Sequence, residues 1–319
     1  MSRYLQYSNY LKDKYGVKTY KIPINLPLSC PNRDGNLAYG GCSYCGSQGA
    51  SFEDAKEVDI KEKVLQMKEG IARKYKAKKF IVYFQNFTNT YLPLKQLLDN
   101  IKSVLGIEDI VEISLATRPD CINEKYVAEI MELINQAEQE IKLSFELGLQ
   151  TTNYHTLADI NRGHSLAEFI DAVLTAQKFG AEVGTHLILN LPGDNLVDAR
   201  EAAKIVSSLK IDTIKLHALY IREDTQLAKD YQAGSLEMIS LEEYIKRVIE
   251  FLQYLDPEIA VQRLLGKAPQ EKTLFVNWGY NYSEVNNLIL AKMEEKDIKQ
   301  GDKFDYLQGK ALTKFSGKE

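Results

Sequence analysis

Cysteine is scarce. Four in 319 residues are too few for a disulfide framework in a chain of this length. Histidine is as rare, with four, and tryptophan occurs once. No apolar run approaches the roughly 18 residues that a membrane span needs, so no membrane partner is expected. The opening stretch, MSRYLQYSNYLKDKYG, lacks the apolar core of a secretory signal. Neither sign of charge dominates: 40 Lys and Arg against 44 Asp and Glu give a net charge of −4, which neither demands nor excludes a nucleic-acid partner. These absences point to a cytoplasmic chain whose thiols stay reduced and available to a metal. With 45% hydrophobic residues, the length suffices for one barrel-sized domain or two smaller ones.

What is present alternates. β-rich runs at 19–26, 80–84, 110–115, 141–149, 182–191 and 213–221 are separated by helical patterns at 59–74, 94–104, 125–136, 166–179, 195–208 and 241–254. Pro93 stands just ahead of one helix, Asn195 suits the cap of another, and Pro192 with Gly193 stops the fifth strand. This order predicts an α/β fold of βα units around a mostly parallel sheet. An open doubly wound sheet and a barrel share the pattern. Gln85, Asn86, Thr117, Arg118, Gln150, Thr151, Asn190 and Tyr220 fall near the C-terminal ends of strands, and in a complete or partial barrel those ends meet at one mouth. Residues 1–18 read as an N-terminal extension, 19–255 as the barrel, and 256–319 as a C-terminal extension with a charged tail whose end is expected to be disordered.

Three of the four cysteines stand together in CPNRDGNLAYGGCSYC, residues 30–45. A disulfide would leave one over, and a closed zinc site needs a fourth ligand. Thiolates select soft or borderline metals, chiefly zinc and iron–sulfur clusters. The spacing of Cys42 and Cys45 serves zinc, redox and cluster sites alike; Cys30, with 11 residues between it and Cys42, sharpens the signal. Gly35, Gly40, Gly41 and Gly46 let the backbone bend closely around a bulky inorganic core. On spacing alone, a zinc site completed by Cys121 or a histidine stays open.

With its neighbours, this loop is similar to the radical S-adenosylmethionine proteins, in the bacterial branch related to the radical domain of the Elongator catalytic subunit, which widens the first cysteine gap. QNFTNTY at 85–91, TRPD at 117–120, ELGLQT at 146–151, INRGH at 160–164 and LPG at 191–193 carry the resemblance through residues 15–255, and VQRL at 261–264 extends it. The resemblance implies a partial (β/α)6 TIM-like barrel. It implies a 4Fe-4S cluster on Cys30, Cys42 and Cys45, whose free iron holds S-adenosylmethionine for reductive cleavage to a 5′-deoxyadenosyl radical. Tyr44 would then pack near the adenine. An electron donor of the flavodoxin or ferredoxin type is expected. Related bacterial proteins are associated with the wobble uridine of transfer RNA, so a tRNA substrate is expected too. The family's usual Gly-Gly-Glu element is missing; Gln85, Asn86 and Thr88 occupy its place, facing the mouth or bonding within their turn.

Other residues complete the candidate site. Arg118 could grip a carboxylate with both prongs or pair with Asp120. Glu146 interrupts the apolar run 143–149, and a buried carboxylate needs a partner: the cofactor's ammonium or ribose, or Lys142 or Lys215. Gln150 is a candidate for the ribose hydroxyls, Arg162 and His164 for loop-borne binding, and Gly193 for close backbone approach to the cofactor. Cys121 is either a hydrogen donor or an inert buried thiol. His217 and His186 fall within strands, where a histidine is either a satisfied core residue or a catalytic candidate, His217 the stronger of the two. Residues 61–80 carry eight Lys or Arg against two Glu, and 73–79 reads as an RNA footprint or a solvated face. Two alternatives remain: a small metabolite as substrate, porphyrin-like or other, from similarity to the oxygen-independent coproporphyrinogen oxidases, and a non-catalytic metal-stabilised module that binds RNA or a partner.

Overall fold

Six parallel strands lie side by side in chain order: β1 (Thr19–Ile24), β2 (Lys79–Phe84), β3 (Ile110–Thr117), β4 (Lys142–Gln150), β5 (Glu182–Ile188) and β6 (Thr213–His217). This computed structural model describes residues 2–46, 59–267 and 271–315; the end of the charged tail, 316–319, lies outside the described residues. A short strand β7 (Ile221–Arg222) leaves the sheet, and β8 (Ala260–Arg263) returns to it as a seventh parallel strand beside β6. β7 pairs antiparallel with β9 (Thr273–Phe275).

Helices fill the crossovers, as parallel pairing requires. They are α2 (Ile60–Tyr75), α3 (Leu94–Lys102), α4 (Glu124–Asn135), α6 (Leu166–Lys178), α7 (Leu196–Ser208) and α9 (Leu241–Tyr254). In α4, Val127, Ile130 and Ile134 are buried, spaced by three and four so that one stripe faces the sheet. Asn123 caps this helix by accepting from the Tyr126 amide. Ser165 with Glu168, and Asn195 with Asp198, form reciprocal capping boxes at α6 and α7. The central strands β2 to β6 are mostly buried on both faces; in β2 every residue after Lys79 is buried, the mark of a sheet with helices outside and a lined interior. Among the described residues no helix is long and apolar enough to cross a membrane.

The sheet is not closed by a β1–β8 pairing among the described residues. A helix with little apolar pattern, α1 (Tyr7–Tyr15), packs against both edge strands. The Val261 amide donates to the Leu5 carbonyl at 2.8 Å. Lys14 pairs with Glu112 at 3.1 Å and Glu182 at 2.5 Å, tying α1 to the starts of β3 and β5. Among the described residues three more α-helices follow: α5 (Tyr154–Asp159), inside the polar loop after β4, α8 (Gln226–Gln232), and α10 (Tyr282–Glu295) near the C-terminus. The architecture is an α/β half-barrel with a helical C-terminal extension.

Candidate active site

The C-terminal strand ends converge on a cleft of about 240 Å³. Cys30, Cys42, Cys45, Tyr44, Gln85, Arg118, Glu146, Gln150, Arg162 and His217 all line it. Cys121 and Gly193 do not line it. Cys121 follows Arg118 in a short turn, its sulfur 3.8 Å from Asp120 Oδ1, and burial, then the Asp120 carboxylate, push its thiol up to about 12. Gly193 turns the chain after β5 at φ +89°, where a Cβ would come 3.1 Å from Thr156 Oγ1.

Each cysteine of the loop has a guanidinium against its sulfur. Arg118 Nη1 lies 3.9 Å from Cys30, Arg162 Nη1 3.5 Å from Cys42, and Arg33 Nη2 3.4 Å from Cys45. Arg33 also donates to the carbonyls of Cys45 and Gly46. Burial raises the Cys45 thiol, and Arg33 opposes the rise. Three thiols on one wall, each facing a fixed positive charge, suit thiolates beneath a bulky anionic group. Among the described residues no three His, Cys, Asp or Glu side chains are gathered tightly enough to hold a single metal ion.

The loop after α5 seats this wall. Asn161 donates to the Gly41 carbonyl at 2.9 Å, and Asn32 donates to the Asn161 carbonyl and reaches the Cys42 sulfur. Gly163 makes the seat close: its φ is +77°, and a Cβ would fall 2.4 Å from Asn32 Oδ1. Arg162 runs beneath, donating to His164 Nε2 at 2.8 Å and to the Gly148 carbonyl at 2.6 Å. Gly148 leaves room for it, since a Cβ there would stand 2.8 Å from Arg162 Nη2. Burial, then Arg162 and Arg118, drive His164 down to about 2, so it stays a neutral acceptor. Arg118 closes its fork on Asp120, at 2.8 and 2.5 Å.

The interior floor is a charge network centred on Glu146, which is 3% exposed. Lys21 pairs with one carboxylate oxygen, while Lys215 at 2.5 Å and His186 at 2.8 Å meet the other. Lys142 pairs instead with Glu140 on the surface. Burial alone would raise the Glu146 carboxyl; Lys21, Lys215 and His186 hold it well below the carboxylate range. Burial lowers Lys215 to about 7 despite Glu146, and His186 to about 4. His217 is held well below the usual imidazole value, by burial and then by Arg263, and is neutral.

Three features were not singled out by sequence reasoning. Arg33 sits within the quoted loop, where only the cysteines and glycines drew attention. Lys21 lies on β1, whose alternation of polar and apolar residues was the only signal that it faces inward. Arg263 belongs to the VQRL stretch, read as a likeness without a role. The QNFTNTY turn divides: Gln85 and Phe87 line the cleft, but Asn86 bonds the Leu26 backbone, and Asn89 bonds the carbonyls of Phe84, Asn86 and Ala116. The basic stretch 73–79 runs from the end of α2 to the start of β2, at the opposite end of the strands from the cleft, so it does not line the site.

A half-barrel with three thiols at the mouth defines a class, and sequence comparison agrees. The profile of the Radical SAM superfamily matches residues 30–206, and that of the Radical_SAM C-terminal domain matches 211–295. The chain belongs to the Radical SAM superfamily, and its catalytic architecture is that of an enzyme. It is 34% identical over 307 residues to the uncharacterized protein YtqA of Bacillus subtilis, covering 96% of this chain and 94% of that protein. It is 26% identical over 193 residues to a tRNA uridine(34) acetyltransferase of Methanocaldococcus jannaschii, 59% of this chain but 34% of that one. The solved structure of Methanocaldococcus infernus Elp3 with an N-terminal deletion superposes with a TM-score of 0.67 at 16% identity, over 88% of this chain and 64% of that chain. That likeness establishes a shared fold.

Proposed function

We propose that this chain is a radical S-adenosylmethionine enzyme whose Cys30, Cys42 and Cys45 hold a 4Fe-4S cluster, and that it acts on the side chain of a tRNA wobble uridine. One observation carries the first half: three thiols on one wall of one cleft, each with its own guanidinium. When bound, the cluster and S-adenosylmethionine supply, on one-electron reduction, a 5′-deoxyadenosyl radical able to take a hydrogen atom from a substrate. The chain's residues position and shield. Arg33, Arg118 and Arg162 favour charged thiolates by standing against them. Tyr44 offers an aromatic face for adenine, and Gln85 and Gln150 offer amides to the amino group and ribose. Arg118, its fork already closed on Asp120, holds the loop after β3 rather than gripping a second carboxylate. Glu146 fixes Lys21 and Lys215 at the floor. His217, in the cleft and kept neutral by burial and Arg263, offers a ring nitrogen as a hydrogen-bond partner rather than as a base. Cys121 and Gly193 act outside the cleft, as a packed thiol and a turn residue.

The relative named as a tRNA uridine(34) acetyltransferase supports the second half. Similarity spans 34% of that protein, so acetyl transfer is not part of the proposal. The reaction is set in the cytoplasm with a flavodoxin- or ferredoxin-type donor.

The test is anaerobic. The chain is loaded with iron and sulfide, reduced and mixed with S-adenosylmethionine, and 5′-deoxyadenosine is quantified beside the cluster's EPR spectrum. Wild type should release 5′-deoxyadenosine with a spectrum altered by the cofactor; Cys42→Ala should do neither. A cluster that forms and never responds to S-adenosylmethionine would sink the radical reading. Binding to unmodified tRNA should weaken steeply with salt; no complex at low salt would remove tRNA and leave a small metabolite.

A further inference from the structure

We propose that Arg263, with His217 beside it, binds a carboxylate carried by the substrate on the β6–β8 side of the cleft. This rests on the radical-enzyme reading and deepens it by naming the substrate's charge. Among the described residues, five cationic side chains line the cleft (Arg33, Arg118, Arg162, Lys215 and Arg263) against a single carboxylate, Glu146. Three of the arginines face thiols, and Lys215 lies on Glu146. Arg263 is left over. Among the described residues it has no ion-pair partner, and its polar contacts run only from Nη2 to the neutral ring of His217, 2.8 Å from Nδ1 and 3.0 Å from Nε2, of which one nitrogen can accept. Its Nε is buried with no hydrogen-bond partner.

A guanidinium does not shed its proton in a protein, so an unpaired one with its Nε buried favours an anion. The backbone builds this arrangement. A register irregularity between Ile214 and Lys215 sets Lys215 opposite Arg263. It lets both Gln262 and Arg263 reach inward from β8, Gln262 donating to Glu146 at 2.8 Å. In the loop after β8, Gly266 lies close to both groups; a Cβ there would be 3.4 Å from Arg263 Nη2 and 3.5 Å from His217 Nδ1.

Placement favours the substrate over the cofactor. Arg263 and Lys215 line the cleft and also a flank groove of about 370 Å³ between β1 and β8. They stand where a way in from the side meets the reaction chamber. A carboxylate is favoured over a phosphate monoester because Arg263, alone of the five described cations lining the cleft, faces neither a thiol nor a carboxylate, and a monoanion balances its single charge.

The test labels the anaerobic, cluster-loaded wild-type chain with phenylglyoxal and reads adducts at each arginine by mass spectrometry. Acetate should slow labelling of Arg263 about threefold at twice its dissociation constant, by mass action, while acetamide and S-adenosylmethionine leave it unchanged. Protection by S-adenosylmethionine would assign the anion to the cofactor and overturn the proposal. Stronger protection by inorganic phosphate than by acetate would overturn the carboxylate assignment. Absence of protection by either anion would remove the site. 5′-Deoxyadenosine is measured in the same samples: if none forms, the radical reading falls, while the labelling by acetate still decides the anion site.

Discussion

Replacing Glu146 by glutamine should destabilise the fold by about 3–5 kcal/mol, the range for removing one member of a buried ion pair. Lys21, Lys215, His186 and Gln262 all direct donors at its two oxygens. Glutamine keeps the shape, yet one of its two polar atoms becomes a donor facing other donors, and two ammonium groups lose their counter-charge. The sign of the pH dependence follows. Burial already lowers Lys215 to about 7, and Glu146 is what holds it up. Without Glu146 it falls further, so the folded state keeps the lysine neutral while the unfolded chain binds a proton. A folded value depressed below the unfolded one gives stability that is lost as pH falls through the folded value. Wild type should lose this contribution down to about pH 7 and then level off, whereas Glu146→Gln should go on losing stability below pH 7. Urea unfolding of both proteins at several pH values measures this, and Lys215→Met added to the variant should restore part of the loss. A destabilisation under about 1 kcal/mol, closer to an exposed pair, would refute the reasoning.

Two further predictions are simpler. Gly163→Ala should cost about 1–2 kcal/mol from its left-handed backbone alone and push Asn32 away from the cysteine wall, so iron retained after reconstitution should fall with the melting temperature; unchanged iron loading would show that this loop does not seat Cys42. Asp194 is raised to about 6, chiefly by burial, so its contribution to stability is full at low pH and is lost as pH rises through about 6. Asp194→Asn should flatten that dependence by about 1–2 kcal/mol, read as melting temperature between acid and neutral pH; parallel profiles for the two proteins would contradict it.

The strands and crossover helices were legible because each carries a strong period: the buried run of β2, the three-and-four stripe of α4. Elements held by polar contacts were not. Helix α1 buries only Leu11 and docks through Tyr10, Lys14 and Tyr15 on Glu112 and Glu182, so it has no apolar stripe to read. Strand β8 is four residues long, and two of them, Gln262 and Arg263, turn polar groups into the interior. Helix α5 is a six-residue turn capped by Asn153 within a polar stretch. For the site, the motifs located the cysteine wall and Glu146. Sequence weighed two partners for Glu146, and of these only Lys215 meets it; Lys21 comes from a strand 125 positions away. Arginines facing sulfur leave no local pattern, because their spacing to the cysteines is set by the fold.

The contact between Leu5 and Val261 spans 256 positions of chain, and this has a temporal side. At ribosomal rates, on the order of tens of seconds separate the emergence of the two partners. Through that interval α1 has only one of its two edge strands to rest on, and β1 stands as a bare edge open to stray pairing. The barrel is thus a clasp fastened last by its earliest-made piece. A nascent chain stalled before β8 would hold the whole cysteine wall and every crossover, and still lack one wall of the groove at its side.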